Sequence, residues 1–375
     1  MPPRRGAPLG DDERVARLRL IRTENVGPVT FAGLLRRFGS ASAALDALPD
    51  LAVRGGTRHT PRIPSQDTID AELALAARFG ARFVCWGEPD YPPLLREADA
   101  APPVLAVMGA LAPLQQPAVA IVGARNASAA GARLTAMFAR ELGEAGHVIV
   151  SGLARGIDTA AHEASLPTGT IGVFAGGLDK PYPRENKALM RRIVDGGGCL
   201  VTEMPFGWEP RAADFPRRNR VVVGLAAGVL VVEAALRSGS LISARLAGEL
   251  GRLVFAVPGS PLDPRAAGTN RLLKDGATLT TETADILEAL SPLDPRARRS
   301  HPAPVEDEIA DEPDHEPADR DRRRILDALG ATPTSLEDIL AQSGADPAEL
   351  QTVLLELDLA GRLERHAGGR VALLS

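Results

Sequence analysis

The chain has 375 residues, 45% of them hydrophobic and 24% charged, which is ample apolar material for a sizeable core and for more than one domain. Wholesale disorder and fibrous folds are excluded, and two cysteines, Cys85 and Cys199, each within an apolar run, leave no disulfide framework and no CxxC pair. The net charge of −5 conceals eight acids at residues 306–319, without which the remainder carries +3, so the charge test for a nucleic-acid binder is local.

In chain order, residues 11–75 read as a small helical domain. Apolar spacing runs through Val15, Leu18, Leu20 and Ile21, breaks at Asn25-Val26-Gly27-Pro28, and resumes from Phe31 to Phe38. The break is like a helix-hairpin-helix turn, where glycine lets backbone N–H groups approach a phosphate. A helical packing domain accounts for the same pattern. Residues 80–290 change to short apolar runs: AVAIVG (118–123), HVIVSG (147–152), TIGVFAGG (170–177), GCLVTE (198–203), GVLVVEA (228–234) and LVFAVPG (253–259). They recur every 23 to 30 residues, the length of a βα unit. Near-continuous apolar runs suit strands buried on both faces, so the expected fold is α/β, a Rossmann-like doubly wound, mostly parallel sheet. Residues 291–320, rich in proline and acids, are expected to be a disordered linker. Residues 321–375 read as three helices and a hairpin around Gly368-Gly369, the order of a winged helix. The longest uncharged apolar run, residues 221–232, is too short to span a bilayer, and the N-terminus has no apolar core. A soluble, cytoplasmic protein without membrane partners is expected.

In such a sheet ligands bind at the carboxyl ends of the strands. Gly123-Ala124-Arg125 leaves the first run, with Ser128 placed to cap the next helix; Gly152 and Gly156 bracket Leu153-Ala154-Arg155; Ser238-Gly239-Ser240 opens a helix after Glu233. Glycines allow close backbone approach, helix N-termini offer free N–H groups and arginine adds a fork of donors, a combination suited to phosphate. Tight βα turns alone also explain single glycines. The densest cluster, residues 211–220, holds Arg211, Arg217, Arg218, Arg220 and Asn219 around Phe215, in a chain with only 3% aromatics. Phe206, Trp208 and Tyr182-Pro183-Arg184 add aromatic and basic character nearby. Arginine and asparagine on phosphates with an aromatic face for an unpaired base is the recipe for single-stranded nucleic acid; Phe215 as a core residue ahead of a helix starting near Pro216 is the other reading.

Enzymatic readings find less support. GxxxxGK[ST], GxGxxG and GxSxG are absent. Asp158 and His162 lack a third metal ligand, and Asp158 reads better as a helix N-cap. Glu203 and Glu233, taken as ends of neighbouring strands, read as loop ties rather than an acid–base pair. Neither catalytic residues, nor a metal, nor a cofactor is expected.

Together the strings AIVGARNASAAG, SGLARGIDTAAHEAS, TIGVFAGGLDKPYPREN, TEMPFGWEPRAADFPRRNRVVVGL, VVEAALRSGSLISARLA, GRLVFAVPG and GTNRLLKDGA resemble the DNA-processing protein A (DprA, or Smf) family across residues 118–280. The resemblance implies a cytoplasmic homodimer, joined through the Rossmann-like domain, that binds and protects single-stranded DNA in natural transformation and loads the RecA recombinase. It implies no catalysis. The family's GSR turn is matched by Gly123-Ala124-Arg125, its FPxRNR element by Phe215, Pro216, Arg218, Asn219 and Arg220, its SGSLI segment by residues 238–242, and its Gly-x-Asn loop by Gly268 and Asn270. The expected DNA-binding set is Gly123, Arg125, Gly152, Arg155, Phe215, Arg217, Arg218, Asn219, Arg220, Ser238, Gly239, Ser240, Asn270 and Lys274. Ala124 replaces the usual serine, and Met204 stands where the family often has tyrosine. The expected recognition helix of the tail carries Glu349, Glu356 and Asp358 but no Arg or Lys, which suits protein contact or regulation rather than duplex binding. A rival from another class is a nucleotide-binding or nucleotide-hydrolysing protein of the lysine-decarboxylase-like type; its PGGxGTxxE string is not supplied by RSGSLISARLAGE at 237–249. A third reading, a transcriptional regulator, predicts duplex binding through the winged helix alone.

Overall fold

The computed structural model describes residues 8–57, 61–98, 100–293, 317–366 and 368–374. Residues 71–293 belong to one compact unit, and residues 9–70 join 317–374 in a second.

The chain opens with helices α1 (Asp11–Ile21), α2 (Pro28–Phe38), α3 (Ala41–Arg54) and α4 (Gln66–Arg78). Then come β1 (Ala81–Cys85), α5 (Pro93–Arg96), β2 (Val104–Gly109), β3 (Ala118–Val122), α6 (Ala129–Glu144), β4 (Val148–Ser151), α7 (Ile157–Ser165) and β5 (Thr170–Val173). They are followed by α8 (Lys187–Asp195), β6 (Cys199–Thr202), α9 (Asp214–Gly224), β7 (Gly228–Val231), α10 (Ser240–Glu249), β8 (Leu253–Ala256), α11 (Ala267–Lys274), β9 (Thr278–Leu279) and α12 (Thr283–Leu290). The sheet has nine strands in the order β1-β2-β6-β5-β4-β3-β7-β8-β9. All pairs from β6 to β9 are parallel, whereas β2 runs antiparallel to both β1 and β6.

Each of the six apolar runs contains a strand, and strand periodicity divides its residues between two helix layers. Ala118, Ala120 and Val122 of β3 face the layer that includes Val221, Val222 and Ala244 from α9 and α10. Val119 and Ile121 face Phe138, Leu142, Ile157 and Ile286 from α6, α7 and α12. Burial on both faces is why these strands read as unbroken hydrophobic runs. From β3 the chain adds β4, β5 and β6 on one side, then crosses to β7 on the other. The switch point, where a doubly wound sheet opens a crevice, therefore lies between the carboxyl ends of β3 and β7.

In the second unit α1, α2 and α3 enclose Leu20, Phe31, Leu34, Leu48 and Leu51. The C-terminal segment comprises α13 (Asp319–Ala328), β10 (Thr334–Ser335), α14 (Leu336–Ser343), α15 (Pro347–Leu359), β11 (Leu363–His366) and β12 (Arg370–Leu373), a winged helix with strand order β10-β12-β11. Of the expected linker, residues 294–316 lie outside the described residues, while Asp319 already opens α13.

Helix α15 is buried over most of its length, with Thr352 to Leu357 and Leu359 all out of solvent. Leu350, Val353, Leu354 and Leu357 fill the winged-helix core, whereas Leu355 and Leu359 enter the core of α1–α3. Polar contacts reinforce the seam. Asn25 Nδ2 donates to Leu359 O at 3.2 Å, Thr30 Oγ1 to Asp358 Oδ2 at 3.3 Å, and Arg362 Nη1 to Gly55 O at 3.2 Å. Glu356, 1% exposed, takes both carboxylate bonds from Arg322 Nη2, at 2.8 and 2.9 Å. The acids of the expected recognition helix thus serve internal contacts, and the hairpin turn at Asn25 faces that helix.

Among the described residues no helix is long and apolar enough to cross a membrane. The 221–232 run is divided between the end of α9 and β7. Cys85 and Cys199 are buried free thiols, and burial pushes the Cys199 pKa up to about 12.

Candidate nucleic-acid interface

The loops leaving β3, β4 and β5, together with the first turns of α9, meet at one open pocket. It is lined by Arg125, Gly152, Ala154, Arg155, Tyr182, Pro183, Phe215 and Arg218. Phe215 is half-exposed in the first turn of α9, outside the two apolar clusters that flank the sheet. The Arg125 guanidinium lies 5.6 Å from the centre of its ring, Arg218 lies 6.0 Å away, and Tyr182 meets it edge-on at 5.4 Å. The ring therefore sits at the pocket wall, within 6.0 Å of two guanidinium groups, and does not fill the core.

Arg218 enters from below and is only 7% exposed. Its Nη1 donates to Val173 O at 3.2 Å, while its Nε has no hydrogen-bond partner. Burial pulls its pKa down to about 10, with the charge of Asp158 acting against that, so the guanidinium stays cationic at neutral pH. Gly152 is required for this placement: a Cβ there would stand 1.7 Å from Arg218 Nη1. Asp158 lies one residue inside α7 and is not the cap, a position held by Gly156 at φ 76°. Its carboxylate accepts from Gly152 N at 3.1 Å and Ala154 N at 3.2 Å, so it ties the β4 loop back onto the helix that follows. Burial raises its pKa, opposed by Arg218 and these two N–H groups. Ser128 does cap α6 as expected, accepting from Gly131 N at 2.9 Å.

His162 is buried beneath the same loop. Thr170 Oγ1 donates to Ile149 O at 2.8 Å, so His162 Nδ1 is the donor in its 2.7 Å bond to Thr170. Burial, followed by the charge of Arg218, drives its pKa from 6.5 down to about 3. The native state therefore holds neutral imidazole. Stability from that neutral form is complete above pH 6.5 and is lost as pH falls toward 3. Measured against His162→Leu by urea unfolding, the wild-type protein is expected to lose about 1.4 kcal/mol more between pH 7.5 and 5.5. Among the described residues no cluster of three His, Cys, Asp or Glu is placed to hold a metal ion.

The remaining expected site residues are divided. Arg217 donates to Glu203 at 3.1 and 3.4 Å, and Arg220 pairs with the same carboxylate and donates to Ala100 O at 2.5 Å. Both arginines thus brace α9 against the end of β6. Glu233 accepts from Ser128 N at 3.0 Å and Oγ at 2.5 Å. Both glutamates tie loops, but they do not end neighbouring strands, because β5, β4 and β3 stand between β6 and β7. Asn219 Nδ2 reaches Gly239 O at 3.4 Å, which links α9 to the turn where Ser238 and Ser240 share a 2.6 Å hydrogen bond. Asn270 pairs with both backbone groups of Gly259, at 2.9 and 3.1 Å. Lys274 is exposed at the last residue of α11, and Gly123 lies at the switch point, where a Cβ would meet Ile157 at 2.6 Å. Sequence reasoning noted Tyr182 and Pro183 as neighbours of the site but did not place them in it; a tyrosine in an aromatic-poor chain was the available signal.

Three family models cover most of the chain: DNA recombination-mediator protein A over residues 82–291, a DprA-like N-terminal HHH domain over 11–75, and a DprA winged helix domain over 309–369. The chain belongs to the DNA recombination-mediator protein A family. Within that family it is 41% identical to Protein Smf of Escherichia coli over 289 residues, which is 76% of this chain and 75% of the relative. Its fold is similar to the X-ray structure of DNA processing protein A (DprA) from Streptococcus pneumoniae, with TM-score 0.60, 33% identity, and coverage of 75% of this chain and 98% of that one. It is also similar to the Helicobacter pylori DNA processing protein A, whose structure is described as showing a unique single-stranded DNA binding mode. That likeness has TM-score 0.53 and 31% identity, covering 58% of this chain and 98% of that one. Membership in the family agrees with the resemblance read from the strings at residues 118–280.

Proposed function

We propose that this chain is a cytoplasmic single-stranded DNA-binding recombination mediator, without catalytic activity, that protects DNA in natural transformation and loads RecA onto it. The observation that carries the reading is the half-exposed Phe215 ring beside Arg125 and Arg218 in a pocket built from strand-end loops. An unpaired base stacks on the ring, while Arg125, Arg155 and the N–H groups of the β3 and β4 loops take phosphates. Gly123, Gly152, Asn219, the Ser238-Gly239-Ser240 turn, Asn270 and Lys274 extend the binding surface along the strand ends. Arg217 and Arg220 shape it through Glu203. Every base has a stacking face, so little sequence preference follows. A homodimer joined through the Rossmann-like domain aligns two such grooves on one strand and raises avidity.

Fluorescence anisotropy of labelled single-stranded and duplex oligonucleotides of mixed sequence, at two or more salt concentrations, tests this reading. Single strands are expected to bind in preference to duplex. Two phosphates neutralised by Arg125 and Arg155 give a log–log salt slope of about −1.4. A preference for duplex, or salt-insensitive binding, would overturn the proposal. Release of free base from nucleoside monophosphates would instead favour the nucleotide-hydrolysing rival.

A further inference from the structure

We infer that Trp208 and Arg211 form a second stacking subsite for an unpaired base, beside the Phe215 pocket but not part of it. The inference rests on the single-strand reading above and adds a nucleotide position to it. Trp208 does not line the pocket and belongs to none of the apolar clusters of its unit. An indole offers a large area that normally goes to a core. Here the half-buried ring carries an exposed guanidinium instead, with Arg211 Cζ 4.7 Å from the ring centre.

The pair is fixed to the same turn of helix as the pocket. Asp214, next to Phe215, accepts from Trp208 Nε1 at 2.9 Å and from Arg211 N at 2.8 Å through a single carboxylate oxygen. The segment between β6 and α9 is also braced against the loop after β5. Gly177 N donates to Trp208 O at 3.0 Å, Gly207 N donates to Asp179 Oδ1 at 2.8 Å, and Lys180 pairs with Glu209 at 3.1 Å. A platform held this firmly loses little conformational entropy when a ligand arrives. Its surface, an exposed guanidinium plane carried on a half-buried indole, suits any base, and Arg211 adds a cation for the backbone between the two bases.

The chain contains two tryptophans, so in a Trp86→Phe background Trp208 is the sole indole fluorophore. Titration with oligothymidylates of increasing length is expected to quench or shift Trp208 emission once the oligomer is long enough to pass the Phe215 pocket. By anisotropy, Trp208→Ala should lower affinity for those longer oligomers about 5- to 100-fold, leave the shortest ones unchanged, and be largely rescued by Trp208→Phe. If oligomers bind in a Phe215-dependent way while Trp208 emission stays unmoved and Trp208→Ala binds like the parent, this subsite is wrong and the pocket stands. If no oligomer binds the parent protein, the reading beneath it fails as well.

Discussion

Single-stranded DNA affinity is expected to fall about 5- to 150-fold when Phe215 is replaced by alanine, the loss of one base–aromatic stack of about 1–3 kcal/mol. The ring also supports Arg125 at 5.6 Å and Arg218 at 6.0 Å, so its removal loosens two cations together with the platform. Phe215→Tyr keeps the face and should bind close to the parent. Arg125→Ala differs in kind. Its guanidinium is exposed and gives the strand a charge, so its loss should weaken binding evenly across sequences and make the salt slope shallower by about 0.7. Anisotropy titrations of the two single variants and the double variant check both points. A coupling energy well above 0.5 kcal/mol is expected for two groups in contact. Phe215→Ala binding at the parent's affinity would remove stacking from the mechanism.

Arg322→Ala should be the more damaging change to stability, at about 3–5 kcal/mol of the second unit. Glu356 is 1% exposed and Arg322 donates to both of its oxygens. Burial already raises the Glu356 pKa in spite of Arg322 and the charges of Arg54 and Arg37. Deleting the bonded partner leaves a buried carboxylate with only the charges of Arg54 and Arg37, among the described residues, to offset its burial. Replacing both partners, as Arg322→Met with Glu356→Leu, removes the stranded charge and should recover most of the loss or exceed the parent. Urea unfolding together with hydrogen exchange at α15 separates the cases. A single variant as stable as the parent would mean that the pair is incidental to the seam.

The parallel core of the sheet was legible because each central strand is buried on both faces and reads as an uninterrupted run. The strands β1 and β2 were not, since β1 lies at a sheet edge with only Val84 and Cys85 fully buried and the antiparallel seat of β2 beside β6 is fixed only by tertiary contact. The basic string 211–220 supplies Phe215 and Arg218 to the pocket wall. It held no sign of which arginine would be used on Glu203, which would be buried under Gly152 and which would lie on Trp208. Asp158 looked like a cap because it stands at a helix start, yet its acceptors serve N–H groups upstream of the turn. Least visible was the seam at α15. Its leucines suit a winged-helix core as well as a second interface, and their other partners lie more than 300 residues away in sequence, as with Asn25 and Leu359.

That separation gives the seam an unusual dependence on chain length. The ends of the chain close on each other in one unit, with the sheet-bearing segment between them, so forming the seam is a loop-closure event within one molecule. Its entropic cost grows only logarithmically, by about 0.6 kcal/mol for each doubling of the enclosed chain. Adding or removing a few residues within 294–316 changes the enclosed length by a few per cent and leaves that cost almost untouched. Small changes in the length of the acidic segment should therefore leave the pairing of the two terminal segments in force.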